Sequence, residues 1–120
     1  MEEIIEIENF LVVKKAKVEI KKVNVIIGRQ AQGKSVVAKL SYFFGDMSEN
    51  FMDGIRELQT KKELDANILE RFEGYFPRYT WEGTEFQISY CIGKIEVCLS
   101  GVKRSKNRTQ LKLSYSPCLS

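Results

Sequence analysis

Histidine is absent from this chain of 120 residues. That excludes Ser-His-Asp and Cys-His catalysis and removes the commonest zinc ligand. Cysteine is scarce, and Cys91, Cys98 and Cys118 form no C-x-x-C pair. Neither a zinc cluster nor a dithiol redox motif is therefore expected, and the thiols read as reduced and structural. Long apolar runs are missing too. No segment approaches the roughly 20 apolar residues of a membrane-spanning helix, and Met1-Glu2-Glu3 begins with acid where a secretory leader begins with base. A cytoplasmic protein with no membrane association is expected. Charge of one sign is also in short supply, because 19 basic residues against 16 acidic leave a net charge of +3. Such a balance carries no overall polyelectrolyte signal for nucleic acid.

What is present is concentrated at one point. Gly28 to Ser35 reads GRQAQGKS, which fits the phosphate-binding pattern G-x-x-x-x-G-K-[ST]. The run Val23-Asn24-Val25-Ile26-Ile27 precedes it, and Ser35-Val36-Val37-Ala38-Lys39-Leu40 follows at helical spacing, so the strand, loop and helix that the pattern requires are all expected. The glycines let successive backbone N–H groups converge on one anion, and a helix opening at Lys34 adds the positive end of its dipole. Gly28, Arg29, Gln30, Ala31, Gln32, Gly33, Lys34, Ser35 and Val36 form the expected nucleotide-binding segment. Within it Lys34 is expected on the β- and γ-phosphates and the Ser35 hydroxyl on Mg²⁺. ATP and Mg²⁺ are the implied cofactors.

Hydrolysis needs a second acidic strand end to hold the metal and orient water. None follows Ser35: the apolar strands downstream end at Gly101 and Ser116, and Glu82, Glu85 and Glu96 stand isolated in alternating patterns. No catalytic residue is assigned. The chain is expected to be an amino-terminal piece of a longer protein or a subunit completed by a partner, and to be inactive as an ATPase by itself.

Apolar residues make up 43% of the sequence, enough for one modest core. Ile4-Ile5-Glu6-Ile7-Glu8 alternates as a strand, and Ala16, Val18 and Ile20 share one face of a second. Both are expected to lie antiparallel beside the apolar strand 23–27, which gives a mixed sheet. A first helix from Lys34 to about Phe44 buries Val37, Leu40 and Phe44 and stops near Gly45. Asp46-x-x-Glu49 and Thr60-x-x-Glu63 resemble capping boxes opening two more helices. Phe51, Met52, Ile55 and Leu58 line the former; Leu64, Ile68, Leu69 and Phe72 line the latter. Pro77 bars a helix beyond Phe76. A hairpin turning at Gly93-Lys94 pairs Ile92 with Ile95, Tyr90 with Val97 and Ile88 with Leu99. That register sets Cys91 and Cys98 diagonally, which is poor geometry for a disulfide. Leu111, Leu113 and Tyr115 supply a third strand, after the basic loop Lys103-Arg104-Ser105-Lys106-Asn107-Arg108, read as a solvated tip. One partial domain results: flap strands, phosphate loop and its helix over 1–45, a helical segment over 46–76, and a β-meander over 77–116.

The order "IEIENF", a second short strand, "VNVIIGRQAQGKS", helices and a meander resembles the amino-terminal lobe of ABC-type P-loop ATPase heads of the SMC, RecF and OLD (overcoming lysogenization defect) group. The likeness covers most of residues 1–115, and its specific part is the phosphate loop. Gln30-Ala31-Gln32 departs from the Asn-Gly usual in that group. With "AKLSYFF" and "YFPRYTWEGTEFQISY" it looks closer to ATPases of bacterial antiphage systems such as Septu and some retrons.

This resemblance implies an α/β fold in which the first two strands form an antiparallel flap extended by the meander. It also implies a homodimer driven by ATP through the nucleotide site, with an effector protein such as a nuclease and with DNA as a ligand of the assembled protein. The flap segment Asn9 to Lys15 is placed by the resemblance near adenine or ribose. Gly28, Gly33, Lys34 and Ser35 carry over directly; the signature motif, second acidic motif and switch histidine have no match. Two readings of the complete protein stay open: an ATPase that turns over in defence or DNA maintenance, and an ATP-dependent scaffold or sensor that controls an effector without turnover. A small-molecule kinase, which shares the loop, conflicts with the antiparallel strands before it and the meander after it.

Overall fold

Alternating apolar and polar residues build five strands into one sheet. The computed structural model describes residues 3–19, 31–56 and 60–117, with side chains of the first helix described at 35–47. Strands β1 (Glu3–Phe10), β2 (Val13–Glu19), β3 (Phe86–Ile92), β4 (Ile95–Ser105) and β5 (Arg108–Pro117) lie in the order β2-β1-β3-β4-β5. Every neighbouring pair is antiparallel. β1 is therefore internal: Ile5 faces Val18 on one side and Tyr90 on the other, and Ile7 faces Ala16 and Ile88. Strand 23–27, on which the mixed sheet rested, lies outside the described residues.

The β3–β4 register is the expected one, with Gly93 at φ 60 in the turn. Cys91 faces Glu96 and Cys98 faces Ser89, so the two cysteines are diagonal. Cys91 is nevertheless disulfide-bonded while Cys98 is a free thiol, which corrects the expectation that the thiols are reduced. Register excludes the pair Cys91 with Cys98 and says nothing of a bond from Cys91 elsewhere. The basic segment is also corrected. Lys103 and Arg104 belong to β4 and Arg108 to β5, joined by the tight turn at Lys106-Asn107, because the paired strands run four residues past Gly101.

One face of the sheet is covered by helices α1 (Ala31–Arg56) and α2 (Lys61–Tyr75). Val36, Val37, Leu40, Phe43, Phe44 and Met47 recur at helical spacing on α1, and all are buried. Phe44 stacks on Tyr90 of β3 with ring centroids 4.5 Å apart. The expected stop at Gly45 and restart at Asp46 do not occur, and α1 is one 26-residue helix. Glycine inside a helix costs about 1 kcal/mol relative to alanine, which the buried stripe continuing from Phe44 to Met47 outweighs. Asp46 is engaged elsewhere, with Oδ2 2.6 Å from Arg71 Nη1 of α2.

At Thr60 the N-cap half of the capping box is present: the hydroxyl accepts from the Glu63 N–H at 3.2 Å. The Glu63 carboxylate accepts from that same hydroxyl at 3.1 Å. Leu64, Ile68 and Phe72 form the buried stripe of α2, and the helix ends at Tyr75, before Pro77.

Candidate functional site

α1 carries the glycine-rich motif at its beginning. Gly28, Arg29 and Gln30 lie outside the described residues. Ala31, Gln32, Gly33 and Lys34 form the first turn of α1, so the helix opens three residues before the expected Lys34. Alanine and glutamine are good helix formers and extend the turn backwards. The first four N–H groups of any α-helix, the N-cap included, have no intrahelical acceptor, and here three of them belong to Ala31, Gln32 and Gly33. No acidic residue occupies that turn, so no side chain of the turn itself carries the charge that would pair with the positive end of the dipole.

Ser35 follows at the surface, while Val36 turns inward at 8% exposure. Val36 thus serves the segment by anchoring the helix, and only its backbone faces the motif's task. Val37 and Leu40, both fully buried, complete the anchor against the sheet. Free amides at a helix start, followed in sequence by a lysine and a serine hydroxyl, are the donor types that a polyphosphate with Mg²⁺ takes, and the first turn holds no carboxylate. Catalytic carboxylates are a separate matter. Glu82 belongs to an ion pair with Arg78, the Glu85 carbonyl accepts from Asn9, and Glu96 lies on β4 opposite Cys91.

The hairpin assigned to the flap turns at Leu11-Val12, which stand 37% and 41% exposed between the buried Phe10 and Val13. Asn9 and Leu11 have φ of 55 and 53, in the left-handed region.

Sequence reasoning missed a second concentration of polar groups, around Arg78. Its guanidinium donates to Glu82 at 2.9 Å, to Glu73 at 3.2 Å and to the Thr109 carbonyl at 3.0 Å, and it lies over the Trp81 ring at 4.8 Å. Hydrogen bonds to Glu82 and then Glu73 hold its pKa above the ordinary arginine value. Arg78 opens the 3-10 turn Arg78–Thr80, and its partners lie on α2, on the turn residues just after the 3-10 segment and on β5. Only the i,i+4 spacing of Arg78 and Glu82 was visible beforehand.

No family model, curated protein or solved structure matches the chain.

Proposed function

We propose that this chain binds ATP with Mg²⁺ through residues 28–36, as the amino-terminal lobe of an ABC-type P-loop ATPase head. The observation that carries the proposal is the coincidence of GRQAQGKS with the acid-free first turn of a helix whose next residues lock onto a sheet. A phosphate motif works best on a rigid support, and burial of Val36, Val37 and Leu40 anchors the helix that carries it. Turnover, dimerisation through the nucleotide site and coupling to a nuclease in antiphage defence belong to the same proposal and rest on the family resemblance alone. A cytoplasmic setting belongs to it as well. Among the described residues no helix is long and apolar enough to cross a membrane.

Calorimetric titration of Mg-ATP tests the reading. Lys34→Ala removes a charge-assisted contact worth about 1.5–3 kcal/mol, an affinity loss of about tenfold or more, with unchanged circular dichroism. Affinity within twofold of the parent protein sinks the assignment.

A further inference from the structure

A groove of about 620 Å³ lies between α2, the 3-10 turn and the end of the β4–β5 hairpin. Three arginines line it, Arg78, Arg104 and Arg108, against two carboxylates, Glu73 and Glu82. Both carboxylates are committed to Arg78, and Arg104 and Arg108 form no ion pair with a described residue. Arg104 donates its Nε to the neutral side chain of Gln110 at 2.7 Å. The Arg108 side chain has no hydrogen bond or ion pair to any described residue. Leu69 and Leu111 add an apolar wall.

Each guanidinium presents a planar fork that matches an oxyanion in bidentate fashion. One fork satisfies the two oxygens of a carboxylate, whereas two guanidinium groups together, with the terminal Nη groups of Arg104 still open, match the larger oxygen set of a phosphate. The volume lies inside the roughly 300–1,000 Å³ of small-molecule sites. We propose that this groove is a second anion site, binding the phosphate of a nucleotide-sized ligand on Arg104 and Arg108 with its apolar part against Leu69 and Leu111. No lining residue belongs to 28–36, so the site stands or falls independently of the phosphate motif.

The experiment uses Lys34→Ala protein, in which the motif is disabled. AMP, adenosine and a short single-stranded DNA are titrated calorimetrically, before and after introducing Arg104→Gln with Arg108→Gln. AMP is expected to bind at least about tenfold more tightly than adenosine, and the double substitution to cost about tenfold or more of that affinity. DNA tighter than AMP identifies a strand's phosphodiester as the source; the reverse order identifies a free nucleotide. Both orders support the site provided the arginines are needed. Equal affinity for AMP and adenosine, no binding of any probe, or AMP binding untouched by the substitutions overturns it. Arg108→Gln alone, which breaks no bond to a described residue, repeats the comparison if the double variant fails to fold.

Discussion

The Asn9 side-chain amide donates to the carbonyl oxygen of Glu85 at 2.6 Å, across 76 positions of sequence. Asn9 sits at φ 55, a conformation asparagine tolerates better than most residues. By strict alternation Phe10 would share the polar face of Glu8. It is instead fully buried against Phe72, Phe76 and Phe86, with ring centroids 5.7, 5.0 and 4.7 Å away. The left-handed step at Asn9 interrupts the alternation, and the Glu85 carbonyl holds it.

Asn9→Ala loses the hydrogen bond, worth about 0.5–1.5 kcal/mol, and keeps the backbone penalty of positive φ. Asn9→Gly loses the same bond but removes that penalty. Urea unfolding is expected to rank parent, then Gly, then Ala. Alanine as stable as the parent refutes the account.

Gly101 sits opposite Phe86, and a Cβ there would overlap the Phe86 ring. Phe86 is 5% exposed and packed among Phe10, Phe72 and Trp81, so it has nowhere to retreat. Gly101→Ala is expected to cost about 1–3 kcal/mol by overpacking. A midpoint of thermal unfolding within a degree of the parent's contradicts this.

Much of this architecture is legible in the sequence. Period-2 patterning gave β1, β3, β4 and β5, and the glycine at 93 fixed the hairpin register residue by residue. Local signals failed where tertiary contacts overruled them. Gly45 looks like a cap, yet Phe44 and Met47 both bury and carry α1 through. Asp46 looks like a capping residue, yet its partner is Arg71 on another helix. The basic stretch looks like a solvated loop from its charge alone, while the β4–β5 ladder extends through it. For the candidate site, the motif was readable from spacing alone, whereas the Arg78 groove draws on residues 69 to 111 and has no linear signature.

Tyr115 links β5 to α2 by donating its hydroxyl to Asp65 Oδ1 at 2.7 Å. Burial first, and the bond to Asp65 next, push its pKa above the ordinary value of 10.0. The folded state therefore keeps its proton where the unfolded chain has released it. The contribution is whole below pH 10 and drains as pH rises beyond that. Stability measured from pH 8 to 11 is expected to fall less steeply in Tyr115→Phe than in the parent, after the shared loss from other groups is subtracted. Parallel profiles refute the coupling.

Ser35 is exposed at the end of the first turn of α1, one residue before the buried Val36. Its neighbours on the core side hold the helix, so Ser35→Ala leaves the anchor intact and removes only a hydroxyl. In the proposed site that hydroxyl would help hold Mg²⁺. ATP affinity in Mg²⁺ is then expected to fall by about fivefold or more, while affinity in EDTA stays within about twofold, since a lost metal ligand matters only when the metal is present. The pair Lys34→Ala and Ser35→Ala separates two functions of one turn: lysine acts on charge with or without metal, serine only with it. Equal losses for Ser35→Ala in Mg²⁺ and in EDTA would remove the metal role and leave the hydroxyl as an ordinary phosphate contact.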